Sequence, residues 1–469
     1  MPDEVDHFFS KDYWEARTKF CAAASAAGAE LTALVVKDGE DGKQYTIDIA
    51  VMRGSVQQLV IHSSGVHGVE GYAGSAVQVA SLKKMVQKKP EATCVFIHAV
   101  NPFGFAHDRR FNENNVDLNR NALPEVEWPR VLARDPNIAG YEDFSPVFNS
   151  SEAPSAWYTA VGLWVQALYY IARYGQGNLK KALVAGTYST PKGLFYGGTA
   201  LEKSHQLLFE FLTKNFGSVP TDRVTWIDVH TGLGPRGQDV MLVTSEEEAA
   251  RSRKLFPLAC DVQCVGSGTA QASGYELTTG CVGNSAIPSV RSLMIARTEG
   301  SRVHTTAPHG LTTGDVVGWH RRDGESLVVG GMKATEEQRF RVVAAAPTEL
   351  ELGPAEGGAQ GSGGAAVSGG TGTELRLVAQ VPSLYARCFR AGPSPPFMVT
   401  QEFGTVPGIL VARGVILENA GYQHDRENHQ RWREYTRNVF YVETEEWKGD
   451  ILRRGCSALD QVAWEQAKL

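Results

Sequence analysis

The chain has 469 residues, 42% apolar and 21% charged, values of an ordinary globular protein that argue against a disordered, collagen-like or coiled-coil chain. Lys plus Arg number 46 against 52 Asp plus Glu, a net charge of -6 with no basic block, so neither nucleic acid nor an anionic membrane surface is an expected partner. Glycine is the outlier at 49 residues, which calls for many tight turns or one glycine-heavy segment.

The opening stretch, MPDEVDHFFSKDYWEAR, is acidic and has no apolar core, so no secretory or transit peptide is expected. Seven cysteines, Cys21, Cys94, Cys260, Cys264, Cys281, Cys388 and Cys456, stand at irregular spacing without a CxxC pair, which suits reduced thiols and a cytoplasmic location. No apolar run reaches the roughly 18 residues that a bilayer span needs.

QQLVIHSS (57–64) reads as a short buried strand, followed by a helix-spaced segment over 72–89 and a second strand, CVFIHAVNP (94–102), stopped by Asn-Pro. Between about 150 and 200, AWYTAVGLWVQALYYIARYG predicts a helix ending at Gly175. Further on come the strands VTWIDVHTG (224–232) and DVMLVTS (239–245), then a helix through EEEAARSRKLF with acidic residues in its first turn. Strands alternating with helices predict an α/β fold with a mainly parallel mixed sheet flanked by helices. Functional groups in such sheets gather beyond the carboxyl ends of the strands.

From about 293 the pattern changes to short Val/Thr-rich runs with frequent turn residues, which predicts four to six antiparallel strands in a small barrel or sandwich. It leads into 353–372, where 9 of 20 residues are glycine, a flexible tether. FMVTQEFGT (397–405) then resumes the α/β pattern, and TEEWKGDILRRGCSALDQVAWEQ predicts a C-terminal helix. The expected organisation is one domain in two parts, 1–292 and 373–469, interrupted by an inserted all-β module over 293–372.

The residues able to carry chemistry stand at the predicted strand ends. His67 and Glu70 lie on a glycine-flanked turn after QQLVIHSS, where an imidazole and a carboxylate three residues apart can converge on one metal ion of the zinc type. The loop FGFAHDRRFNENNVDLNRN offers Arg109, Arg110, Asp117, Asn119 and Arg120, of which the arginine forks and the Asn amide suit binding a carboxylate and stabilising an oxyanion. His230 sits at the end of VTWIDVHTG, and Glu402 near the end of an apolar strand, an odd place for a carboxylate without a task or a partner. A catalytic metal site needs three protein ligands, an open position and a base for water, and these strand ends supply that set.

The order HGVEG, NPFGF…RRFNENNVDLNRN, DVHTG and QEFGT resembles the M14-like zinc metallocarboxypeptidase superfamily, most closely its DUF2817 branch, whose pattern also extends to GTYSTPKGLFYGG (186–198). The similarity covers about 50–292 and 373–465. It implies a zinc carboxypeptidase-like fold and one zinc ion held by His67, Glu70 and His230, with Asp117 orienting His67. It further implies that Arg110, or alternatively Arg109, polarises the scissile carbonyl, that Asn119 and Arg120 hold the substrate's terminal carboxylate, and that Glu402 is the general base and acid.

The implied activity is hydrolysis of an amide or peptide bond next to a free carboxylate, with a peptide or an N-acyl amino acid as substrate. An aspartoacylase-like deacylase and a catalytically vestigial binding scaffold are the alternatives. The substrate-covering tyrosine of digestive carboxypeptidases has no motif here; Tyr275 and Tyr385 lie in the right part of the chain. No GxSxG elbow is present, and Ser63 and Ser64 precede the His-Glu turn, so a serine hydrolase is not expected. His304, His309 and His320 read as exposed turn residues of the insert, and Cys260 and Cys264 as two reduced thiols. The glycines of HGVEG, HTGLG and EFGT are expected to let the backbone bend beside the proposed ligands. The sequence does not determine the oligomeric state.

Overall fold

The computed structural model describes residues 3–39, 42–265, 278–284, 286–299, 302–305, 316–320, 328–329, 332–333, 339–346, 349–354, 367–368 and 374–465. Two compact units make up the chain, residues 1–285 with 384–469, and residues 286–383.

The first unit is built on an eight-stranded sheet. Its strands are β1 (Glu30–Asp38), β2 (Gln44–Met52), β3 (Leu59–Ser64), β4 (Thr93–His98), β5 (Val224–Arg236), β6 (Asp239–Val243), β7 (Asp261–Cys264) and β8 (Phe397–Gly404). Their spatial order is β1-β2-β4-β3-β5-β8-β6-β7. The central run from β4 through β3 and β5 to β8 is parallel, whereas β1, β2 and β4 pair antiparallel, as do β8 and β6. The fold is therefore the expected α/β arrangement with a mixed sheet. The hairpin β1-β2 was not evident from the sequence pattern, because β1 is an edge strand whose residues are mostly exposed or half-buried and carry no apolar alternation.

Both faces of the central strands are covered. Val60, Ile227, Val229 and Val399 pack with the helices Tyr13–Ala27, Gly71–Gln87 and Glu445–Asp460, while the alternate residues Leu59, Ile61, Trp226 and Met398 pack with Lys203–Phe216. Burial on both sides is why these strands read as continuous apolar runs. A third cluster joins Tyr141–Phe148, Leu163–Tyr174, Gln176–Ala185 and Gly408–His424 around Val69, Phe111 and Phe195. Among the described residues no helix is long and apolar enough to cross a membrane.

Parallel register sets the site. Ser64, the last residue of β3, pairs with Val229 on β5, and His230 of β5 pairs with Glu402 of β8. Three carboxyl ends thus lie side by side on one edge of the sheet, and the turn after β3 brings His67 to the same place.

In the second unit six strands close into an antiparallel barrel in the order Val316–His320, Arg339–Ala346, Glu349–Pro354, Arg302–Thr305, Ala286–Glu299 and Glu374–Pro382. Closure removes exposed strand edges. The unit is wider at both ends than the 293–372 read from the sequence, because Ala286–Glu299 and Glu374–Pro382 pair along their length, from Ala286 with Pro382 to Met294 with Glu374. Of the glycine-rich 353–372 stretch, Gly353, Pro354, Val367 and Ser368 are strand residues, and the remainder lies outside the described residues. His304 is a half-buried strand residue paired with Glu349 and Arg297, not an exposed turn residue, and His320 closes another strand. His309 and Tyr275 lie outside the described residues.

Candidate metal centre

His67 follows a turn that begins at Gly65, whose φ of 64° is one that glycine adopts without strain. Glu70 ends a single 3-10 turn, Gly68–Glu70, that runs directly into the helix Gly71–Gln87. The glycines of HGVEG do less bending than expected. Gly71 has helical angles, and a Cβ on Gly68 would stand 2.0 Å from the Gly104 carbonyl carbon, so Gly68 is required by close approach of the following loop. That contact is held by Val69 N–H donating to Arg109 O (3.0 Å) and Gly68 N–H to Arg110 O (3.4 Å). In HTGLG, by contrast, Gly232 and Gly234 have φ of 118° and 101° and do bend the chain.

His67, Glu70 and His230 converge. His67 Nδ1 lies 2.9 Å from Glu70 Oε1, His230 Nδ1 lies 2.9 Å from Glu70 Oε2, and the two Nδ1 atoms are 3.1 Å apart. All three side chains are at most 4% exposed. Among the described residues they form the group placed to hold one metal ion.

The donor chemistry fits a cation. His230 Nε2 lies 2.7 Å from Asp228 Oδ2, which keeps a proton on that nitrogen and turns the Nδ1 lone pair toward Glu70. Two acceptors then face each other unless a proton or a metal ion stands between them. Burial pulls the His230 pKa down, but Asp228 and Glu70 outweigh it and raise it well above the usual value. A pocket that draws a proton onto a buried imidazole is one where a divalent cation can replace that proton. Glu70 is held well below the usual carboxylate range: burial alone would raise it, and the two histidines overcome that.

Asp117 stands behind His67, with Oδ1 3.2 Å from His67 Nε2, and Oδ2 accepts from Arg110 Nε at 2.9 Å. Arg110 also donates from Nη1 to Glu70 Oε1 at 3.3 Å, and its Nη2 is 2.6 Å from His67 Nε2. His67 Nε2 therefore faces both an acceptor and a donor, so the His67 tautomer is less firmly set than that of His230. Burial raises the pKa of Asp117, but Arg110 and His67 hold it well below the usual value.

Glu402 lines the same cavity, of about 440 Å3, as His67, Glu70, His230 and Arg110. It is 9% exposed, and burial together with the Glu70 charge pushes its pKa up to about 8. Arg120 and Asn119 also reach this cavity. Arg120 donates from Nε and Nη2 to Val184 O (3.1 and 2.8 Å) and from Nη1 to Asn119 O (2.8 Å), while Asn119 Oδ1 accepts from Val282 N–H (2.8 Å).

The structure separates the two adjacent arginines. Arg109 is fully buried away from the cavity, with Nε 2.8 Å from Glu418 Oε1, Nη2 donating to Asn115 and Asn419, and its plane against the Tyr422 ring. Tyr385 is in the core, hydrogen-bonded to His205 Nδ1 at 2.6 Å and packed on Trp226, so it is not placed to cover a substrate in this cavity. Ser63 donates to Asp228 Oδ1 at 2.6 Å and accepts from Trp226 Nε1 at 2.7 Å, which fixes the carboxylate behind His230. Cys260 and Cys264 are free thiols at the start of and within the β7 region.

Two site residues were not singled out from the sequence. Asp228 was legible in principle, since residues two apart on a strand share a face, and Asp-Val-His places a carboxylate beside His230. Phe195, whose ring lies 4.3 Å from the Arg110 guanidinium carbon and 5.5 Å from that of Arg120, had no signal beyond its place in GLFYGG.

A family model described as protein of unknown function (DUF2817) matches residues 9–295 and 376–454, and the gap between the two segments falls inside the second unit. No curated protein matches the sequence. Among solved structures, bovine thrombin-activatable fibrinolysis inhibitor in complex with tick carboxypeptidase inhibitor is 13% identical with a TM-score of 0.33, over 57% of this chain and 79% of that one. Carboxypeptidase A from Helicoverpa armigera is 11% identical with a TM-score of 0.34, over 59% and 60% of the two chains. A succinylglutamate desuccinylase/aspartoacylase from Rhodobacter sphaeroides is 12% identical with a TM-score of 0.24, over 75% and 96%.

Proposed function

The chain belongs to the DUF2817 family, and we propose that it is a zinc-dependent hydrolase that cleaves an amide or peptide bond next to a free carboxylate. The observation that carries this reading is the placement of Glu402, a carboxyl with its pKa pushed up to about 8, in one cavity with the His67–Glu70–His230 group. One zinc ion held by those three residues would polarise a carbonyl oxygen and acidify a water molecule.

The chain's own residues do the rest. Glu402 takes a proton from the attacking water and later delivers it to the leaving amine, the two-way transfer that a carboxyl with a pKa near neutrality performs well. A divalent cation held by His67, Glu70 and His230 would offset the Glu70 charge that raises the Glu402 pKa, and so would favour the ionised base. Arg110, held through Nε on Asp117 with its guanidinium lining the cavity, stabilises the oxyanion that develops on the carbonyl. Arg120 and Asn119, which line the same cavity, hold the substrate carboxylate, Arg120 being already fixed on Val184 O. Asp117 and Asp228 orient the two histidines. Leu179, Leu183, Val411, Val415 and Phe440 give the cavity an apolar stretch of wall, which suits an apolar side chain or acyl group beside the bond cleaved.

The test is Glu402→Gln in zinc-loaded protein, assayed on short peptides for release of the C-terminal amino acid and on N-acyl amino acids for release of the acyl acid. The first product identifies a carboxypeptidase and the second a deacylase. Turnover is expected to fall by a factor on the order of 100 or more with zinc content unchanged. Near wild-type turnover in the variant would show that Glu402 is not the proton carrier, and a wild-type protein that neither contains nor takes up zinc would favour the binding scaffold.

A further inference from the structure

We infer that Phe195 is a positioning residue that fixes the planes of the Arg110 and Arg120 guanidinium groups in the cavity, an inference that rests on the hydrolytic reading of that site. One ring serves both cations: the guanidinium carbons lie 4.3 and 5.5 Å from its centroid, within the roughly 6 Å over which a cation feels the ring's face. The ring lines the cavity, and the Phe111 ring meets it at 6.3 Å and 77°.

The polar contacts of Arg110 all lie along the edge of the group, Nε on Asp117, Nη1 on Glu70 and Nη2 2.6 Å from His67 Nε2, and the ring adds a contact to its face. An aromatic face also keeps water from one side of each cation, so the charge acts more strongly on the cavity.

The backbone at Phe195 is held in a conformation that a bulky residue rarely adopts, with φ at 54°. Its neighbours enforce it. Thr187 N–H donates to Phe195 O (3.2 Å), Tyr141 Oη to Leu194 O (2.8 Å), and Asp117 N–H to Tyr196 O (2.7 Å). Asn149 Oδ1 accepts from Leu194 N–H (3.0 Å). Gly186 allows the approach, since a Cβ there would meet Phe195 O at 2.4 Å. The GTYSTPKGLFYGG segment is thus tied to the loop that carries Asp117, and strain of this kind persists where the surrounding structure over-determines it, often at functional sites.

The experiment uses the full-length zinc-loaded protein with Phe195→Leu, which removes the aromatic face, and with pentafluorophenylalanine at 195, which keeps the ring's shape and reverses its quadrupole. The Nε–H resonances of Arg110 and Arg120, assigned from Arg110→Lys and Arg120→Lys, report the ring directly. In Phe195→Leu both resonances should move downfield as the ring current is lost, with zinc content retained. On whichever substrate the wild type cleaves, kcat/KM should fall about tenfold in Phe195→Leu and severalfold with the fluorinated ring, through both kcat and KM. Unmoved arginine resonances in Phe195→Leu, or a fluorinated protein with wild-type kcat and KM, would overturn the inference. The resonances answer even if no substrate is hydrolysed, so a failed hydrolytic reading is distinguishable from a failed role for Phe195. Should Phe195→Leu not fold, the fluorinated protein decides alone: arginine resonances unmoved from wild type, or wild-type kcat and KM, would overturn the inference.

Discussion

Replacing Glu402 by Gln in metal-free protein tests the electrostatics of the site apart from catalysis. In the folded chain this carboxyl keeps its proton to about pH 8, against an ordinary value of 4.5, because it is buried and faces the Glu70 charge. The sign follows from which state binds more protons. Above pH 4.5 the unfolded chain gives up this proton while the folded chain retains it, so ionisation favours unfolding and stability falls as the pH rises from 4.5 to about 8. At about 1.4 kcal/mol per pH unit, the full span costs roughly 5 kcal/mol, and most of it, about 4 kcal/mol, falls between pH 5 and 8.5.

A neutral amide of the same shape escapes that cost. In urea titrations with a chelator present, the stability of Glu402→Gln relative to wild type should therefore rise by about 4 kcal/mol from pH 5 to 8.5. Comparing the two proteins at each pH cancels groups that titrate alike in both. A relative stability that is the same at the two pH values would refute the burial and charge argument for Glu402.

Zinc binding at pH 7 should release about one to two protons, from His230 and Glu402, seen as buffer-dependent heats in calorimetry; a heat that is independent of buffer would contradict the protonated site. Asp228→Asn should weaken zinc affinity about 10- to 100-fold in competition with a chelating dye, because the carboxylate that orients His230 is lost. Gly68→Ala places a Cβ 2.0 Å from the Gly104 carbonyl carbon, so the turn bearing His67 and Glu70 must shift, with loss of stoichiometric zinc as the expected readout. Arg109→Met takes the guanidinium from buried Glu418, which keeps its contact with His429 Nε2, and should cost about 3–5 kcal/mol in urea unfolding, while Arg109→Met with Glu418→Leu should recover much of that, and zinc content should stay at one ion in both.

The central strands were legible because burial on both faces makes them short apolar runs between Gly, Ser and Asn-Pro stops, and Leu59–Ser64, Thr93–His98 and Phe397–Gly404 follow those runs closely. The edge strand Glu30–Asp38 has one poorly covered side and no such signature. The barrel's end strands were assigned to the α/β domain for a related reason: Ala286–Glu299 and Glu374–Pro382 are as apolar as core strands, and only their mutual pairing shows which sheet they join.

Residue type and strand-end position were enough to nominate His67, Glu70, His230 and Glu402, since an imidazole or carboxylate after an apolar strand needs a reason to be there. What the linear chain could not decide was direction. Arg109 and Arg110 are neighbours in a loop without periodicity, and only packing shows that one pairs with Glu418 in the interior while the other reaches Asp117 and Glu70. Tyr385 turned inward to His205, and Phe195 came under two guanidinium groups from a strained backbone set by Gly186 and Thr187. Local patterns determine which segments become strands and which groups end them, because burial acts residue by residue. The meeting of groups 160 residues apart, as in the His230 and Glu70 contact, depends on parallel register and on which side chains the packed loops leave facing the cavity, and those are properties of the tertiary structure alone.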